Sequence, residues 1–247
     1  MTAPVEIAWS DEVCSVSLNR PAAGNSLSPD LVSALEKVVD ECTARRPRLM
    51  VLRGAGKHFC TGFDLARLGE ETDDSLLARF CRIELLLQKV HRAPFPSLAI
   101  AHGRTVGAGA DLFAACSHRL AETGTQFAFP GAAGFGLVLG TRRLVQRVGA
   151  ERAGRWLATG ASIGLEEALA SGLATGVLAD TSPEASRSCL AAERSAAADN
   201  PLLASVLDAR DPVHDHVDLA LLVRSAAVPG LKARIGAYVE RGRQSRI

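Results

Sequence analysis

Three features of the sequence predict an α/β fold with a helical C-terminal region. Short apolar strands alternate with amphipathic helices, glycine-bearing turns follow two of those strands directly, and the tail is rich in Ala, Leu and Arg with no convincing strand. The bulk composition permits such a fold: 247 residues, 47% hydrophobic and 22% charged, can bury one substantial core. A formal net charge of +1 provides no field that would recruit nucleic acid or an anionic membrane non-specifically, so an anionic ligand must be held by local groups. The six cysteines, at 14, 42, 60, 81, 116 and 189, contain no C-x-x-C pair. They fit reduced thiols better than a disulfide framework, which makes the cytoplasm the expected location. The sequence has no basic segment followed by an apolar h-region, and no run approaches the ~20 apolar residues that span a bilayer, so neither secretion nor membrane insertion is expected.

Taken in order, residues 13–18 alternate apolar side chains with Ser15 and Ser17, the period of a half-buried strand, and Pro21 to Gly24 break it. Ser28-Pro29-Asp30 supplies an N-cap, a first-turn proline and an acidic second residue. Leu31, Ala34, Leu35, Val38, Val39 and Cys42 then recur at helical spacing. Residues 49–52 form an apolar run that enters a glycine-bearing loop, and residues 98–101 repeat that form before Gly103. Helices are predicted over 76–90, 138–149, 150–159 and 165–171, the last ended by Gly172. Beyond about Ser182 two or three helices with charged faces are expected, giving a core over residues 1–185 and a C-terminal helical oligomerisation region over 186–247.

The two glycine-bearing turns carry the chemistry. The first spans residues 54–65 and contains Gly62-Phe63-Asp64-Leu65; the second spans 102–112 and contains Gly107-Ala108-Gly109-Ala110-Asp111. Small residues at 107–110 let a ligand approach the backbone, and a helix start there leaves orphan N–H donors whose dipole favours an anion. Either turn alone is better read as tight turning and close helix packing; taken together the balance reverses.

Together with Asn25-Ser26-Leu27-Ser28 after Asn19-Arg20-Pro21, the two turns resemble the crotonase superfamily, also called the enoyl-CoA hydratase/isomerase family, over about residues 13–176. That resemblance implies a spiral core of ββα turns with C-terminal helices, assembled as a homotrimer or a dimer of trimers. It implies an acyl-CoA substrate, no cofactor beyond the coenzyme A of that substrate, and an enolate gripped by the N–H groups of Phe63 and Ala108. It also places the CoA chain beside Asn25, Ser26 and Leu27 and along Phe63, Asp64, Leu65 and Ala66, with Asp64 also orienting the turn. Gly24 stands where the family commonly has a basic residue, leaving Arg20, Arg67, Lys232, Arg234, Arg241 and Arg243 as phosphate candidates; solvated side chains are the alternative.

Hydratases of the family use two glutamates. The first position is Asp111 here, an acid shorter by one methylene; the second, after Pro130, is Gly131. Three readings follow: Asp111 alone shuttles a proton between carbons, as in an isomerase, or serves an enolate-based lyase step; another acid (Glu84, Asp64 or Glu122) completes a hydratase; or the protein is a non-catalytic acyl-CoA-binding or assembly protein. Gly160-Ala161-Ser162-Ile163-Gly164 matches a nucleophile elbow by letter but lacks a preceding strand, so a helix-to-helix turn is expected. Gly107-x-Gly109 followed by Leu112 is not a dinucleotide fingerprint. His214-Asp215-His216 reads as a polar loop rather than a metal site, and His58 and His102 as loop packing.

Overall fold

The computed structural model describes residues 2–10, 12–178 and 214–244. Its main sheet has the order β1 (Val5–Ser10), β2 (Val13–Leu18), β3 (Leu49–Gly54), β4 (Ser97–Ala101), β6 (His118–Ala121), β8 (Gly176–Val177). Only the β1–β2 pair is antiparallel; every later neighbour is parallel, as strand–helix–strand crossovers require. A second, two-stranded parallel sheet joins β5 (Arg104–Val106) to β7 (Gln126–Ala128). Strand β1 gives no sequence signal because it is an edge strand with most side chains exposed. β5, β7 and β8 are too short for a periodic pattern to build up.

The predicted helices form with their caps. Helix α1 (Pro29–Arg45) starts at Ser28, whose Oγ accepts from the Leu31 N–H, and α2 (Asp73–His91) starts at a capping box between Thr72 and Ser75. Helix α3 (Ala108–Ala115) follows β5 directly. It is followed by α4 (Gly131–Phe135), α5 (Thr141–Val148), α6 (Ala150–Thr159) and α7 (Leu165–Ala170), with Gly172 left-handed beyond it. The period of two along β3 and β4 divides the core: Met50, Leu52, Ala99 and Ala101 face the helices, whereas Leu49, Val51, Leu98 and Ile100 are buried on the opposite face.

The boundary expected at residue 185 lies outside the described residues. The described part of the tail is helical: α8 (Asp215–Ala226) packs on α2, and α9 (Leu231–Gln244) packs on α4 and α2. The carboxylate of Asp73 docks the start of α9 by accepting from the N–H groups of Gly230, Leu231 and Lys232 at 2.8–3.1 Å. His214-Asp215-His216, expected in a loop, opens α8, where Asp215 pairs with Arg92. Among the described residues no cluster of metal-ligating side chains occurs, and no helix is long and apolar enough to cross a membrane.

Candidate active site

The two glycine-bearing turns meet. A Cβ on Gly62 would lie 2.7 Å from the Val106 carbonyl oxygen and 3.4 Å from the Ala108 nitrogen, so this approach requires glycine, as does its φ of +95°. The N–H groups of Phe63 and Ala108 have no hydrogen-bond acceptor among the described residues, although their neighbours do: Asp64 N–H donates to Leu27 and Gly107 N–H to Ala128. Two unengaged main-chain donors, one at a helix N-terminus, thus border a single cavity of about 490 Å³.

The first turn is braced by charged groups. Asp64 pairs with Arg20 at 2.7 Å and accepts from the Ala66 N–H at 3.0 Å. Burial alone would push its carboxyl up, but the Ala66 N–H, Arg20 and Arg79 outweigh that and hold it below the usual carboxylate range. Arg79 donates to the Asp64 carbonyl at 2.9 Å, and its guanidinium lies 4.1 Å from the centroid of the Phe63 ring. The opposite side of that ring arrangement is apolar: Phe63 stacks on Phe80 with centroids 4.2 Å apart.

The second turn carries an acid with no such support. Asp111, one turn into α3, lines the cavity at 6% exposure; its N–H donates to the Gly107 carbonyl at 3.0 Å, but its carboxylate makes no hydrogen bond or ion pair among the described residues. Burial raises its carboxyl well above the usual range; Arg143 opposes that shift and Glu84 adds to it. Of the described residues lining the cavity, Asp111 is the only carboxylic acid, and Gly131 lines it as well. The remaining lining is largely apolar and includes Phe129, Leu137 and Leu139, with Ile235 and Tyr238 contributed by α9.

The structure therefore brings Ser26, Phe63, Leu65, Ala108 and Asp111 to one cavity; Asn25, Leu27 and Asp64, all buried, and Ala66, which is exposed, do not line it. Asn25 is fully buried and fully engaged: its Oδ1 accepts from the Arg20 N–H, and its Nδ2 donates to the carbonyls of Ala55 and His58. Of the acids considered as a second catalytic group, Asp64 is tied to Arg20, Glu122 pairs with Arg53, and Glu84 pairs with Arg143 at 2.6 Å. Most of the phosphate candidates are also committed. Arg20 holds Asp64, Arg67 pairs with Glu70, Arg234 donates to the carbonyls of Phe135, Ser225 and Val228, Arg241 to that of Gly134, and Lys232 to that of Gly69. Arg243 does line the cavity, as does Arg104, which the sequence reading did not single out. His58 accepts from the Arg104 N–H and His102 bonds the Gly56 carbonyl, so both pack the loops. Ser162 sits between α6 and α7 and bonds Gln126, a helix-to-helix turn rather than an elbow.

Arg143, like Arg104, was missed by sequence reasoning. Next to Arg142 on a short helix it reads as solvated, yet it is 3% exposed. The readable signal lay in its partner: Glu84 interrupts the apolar stripe formed by Leu76, Phe80, Ile83 and Leu87 on α2.

A model of the "Enoyl-CoA hydratase/isomerase" family matches residues 13–226. Among curated proteins, the chain is 33% identical over 179 residues to (E)-benzylidenesuccinyl-CoA hydratase of Thauera aromatica, covering 71% of this chain and 70% of that protein. It is 30% identical over 169 residues to enoyl-CoA isomerase/hydratase fer4 of Mycosarcoma maydis, covering 63% of this chain and 61% of the relative. Among solved structures, one described as an enoyl-CoA hydratase/isomerase from Bordetella parapertussis aligns with a TM-score of 0.87 at 40% identity, over 96% of this chain and 99% of that one.

Proposed function

The chain belongs to the enoyl-CoA hydratase/isomerase family, and on that premise we propose that it moves a proton within an enoyl thioester of coenzyme A, using Asp111 as its single acid–base group. The observation that carries this reading is the solitary buried carboxyl of Asp111 in the cavity that Phe63 and Ala108 border. The thioester oxygen accepts from the two free N–H groups. As the Asp111 carboxylate takes a proton from C2 of a 3-enoyl thioester, the electron pair spreads onto that oxygen, where preorganised donors stabilise the enolate more than the ground state. Asp111, now protonated, returns the proton to C4, and the double bond moves from C3–C4 to C2–C3. A base whose proton affinity is raised by burial suits this step, because its ionisation lies closer to the working pH.

Gly131 supports isomerisation over hydration, since among the described residues no second carboxyl lines the cavity to activate water. Coenzyme A enters as part of the substrate, held by Ser26 and Leu65 at the wall and by Arg104 and Arg243 for its phosphates, with a homotrimer or dimer of trimers as the assembly. The test offers a 3-enoyl-CoA and crotonyl-CoA to purified protein while the conjugated thioester absorbance is followed. The 3-enoyl substrate is expected to gain absorbance, and Asp111→Asn to lower turnover by about 10²–10⁴ with CoA affinity nearly unchanged by calorimetry. Full activity in Asp111→Asn would remove Asp111 from the mechanism. Binding without turnover of either substrate would favour a non-catalytic acyl-CoA-binding or assembly protein.

A further inference from the structure

Behind Asp111 lies a buried charge pair that the proposed reaction does not use. Glu84 on α2 is 1% exposed and Arg143 on α5 is 3% exposed, and their Oε2 and Nη2 atoms are 2.6 Å apart. Gln88 Nε2 donates to Glu84 Oε1 at 3.0 Å, so the glutamate is held from its own helix as well. The two carboxylates are separated by one residue. Gly140, the residue before α5, donates its N–H to Glu84 Oε2 at 3.4 Å, and on its other side a Cβ would overlap the Asp111 carboxylate. Its φ of +65° and this lack of room both require glycine. The Nε–H of Arg143 has no acceptor among the described residues, an unusual state for a buried guanidinium donor.

We propose that the Glu84–Arg143 pair is a positioning device that sets the pH at which Asp111 carries its proton, with Gly140 as the spacer that keeps the two carboxylates adjacent but unbonded. Neither Glu84 nor Arg143 lines the cavity that Asp111 faces, so both act through Asp111 and not on substrate. The charged groups that act on Asp111 from the elements packed around it are Arg143 of α5, which favours its ionised form, and Glu84 of α2, which opposes it. In an interior of low polarizability these influences are large, and a paired cation and anion nearly cancel at a distance. The pair therefore works as a balance: burial sets the proton affinity of Asp111, and either partner left alone would tilt it.

This inference rests on Asp111 being the proton carrier only for its catalytic meaning; the titration itself is measurable without substrate. Full-length protein labelled with carboxyl-¹³C aspartate is titrated by NMR, the Asp111 resonance being identified by its loss in Asp111→Asn. Glu84→Gln leaves Arg143 unopposed and is expected to lower the Asp111 midpoint. Arg143→Met leaves Glu84 unopposed and is expected to raise it, each by on the order of one pH unit. Arg143→Lys keeps the charge and is expected to stay close to wild type. The two charge-removing variants have opposite required signs, so either one that folds, as judged by circular dichroism, decides the matter. A purely structural role for the pair would lower the melting temperature and leave the Asp111 midpoint in place, or move it the same way in both charge-removing variants; either result overturns the proposal. The acid limb of kcat/KM separates the two claims. If the resonance moves as expected while Asp111→Asn remains active, the balance stands and the acid–base role falls. If Asp111→Asn is inactive but the midpoint is fixed across the variants, the reverse holds.

Discussion

The two turns that frame the cavity each carry an aspartate near an unengaged main-chain N–H, and the two aspartates are treated in opposite ways. Asp64, one residue after Phe63, is braced by Arg20, by the Ala66 N–H and by Arg79 behind it, and its carboxyl is held low. The carboxyl of Asp111, three residues after Ala108, has no hydrogen-bond partner among the described residues, and burial raises it. The same side chain serves as a brace in one turn and as a reactive group in the other. What separates them is the number of donors pointed at the carboxylate, not its distance from the site.

A large effect, second to that of Asp111→Asn, is expected from deleting a donor in the second turn while leaving its aspartate intact. Ala108 is the first residue of α3, where proline is tolerated because the N–H has no intrahelical partner. Ala108→Pro removes that N–H and is expected to lower kcat by about 10²–10³, with the Asp111 midpoint little changed. An active Ala108→Pro would mean that the second turn provides an acid but no oxyanion contact.

A smaller effect is expected from giving Asp111 a companion. A Cβ at Gly131 would meet nothing closer than the Leu137 carbonyl oxygen at 3.5 Å, an ordinary contact, and the backbone there is not left-handed. Gly131→Glu is therefore expected to raise hydration of crotonyl-CoA by about 10-fold or more, short of the ~10²–10⁴ of a fully placed acid. No gain in a folded variant that still binds CoA would show that Asp111 is solitary for a reason other than the missing side chain at 131.

How much of this was legible in the sequence follows the range of the interactions involved. The strand–helix alternation, the Ser28 cap and the stop at Gly172 are local and could be read directly. The paired turns were readable as motifs, although their convergence depends on Gly62 abutting Val106, a contact between segments far apart in the chain. Arg143 was not readable, because its burial depends on Glu84, 59 positions earlier on another helix. The tail was read as helical without its destination: α9 returns to the core because Asp73 caps its start, and a carboxylate in the first turn of α2 gives no hint that it serves a second helix.

The smallest effect is also the most direct test of the contrast, because it concerns stability alone. For Asp64 the folded value is depressed, so its contribution is present above the unfolded value near 3.8 and is lost as pH falls through the folded one. Asp64→Asn is then expected to be less stable than wild type at pH 7, by about 1–3 kcal/mol, with the gap closing only as pH falls below about 3.8. For Asp111 the folded value is raised, so its contribution is full below about 3.8 and is lost as pH rises through the folded value. Asp111→Asn is expected to melt higher than wild type at pH 7–8, by about 2–4 °C for each kcal/mol recovered, with that gap closing toward pH 4. Above about pH 4 the Asp64→Asn deficit is already full and stays level, whereas the Asp111→Asn gain opens toward neutral pH, so the two differences carry opposite signs, as follows if one aspartate stabilises the fold and the other is retained at its expense. If thermal melts across pH 4–8 show the two variants displaced in the same direction, the two turns are not electrostatic opposites, and the distinction between brace and reactive group has to be sought in geometry alone.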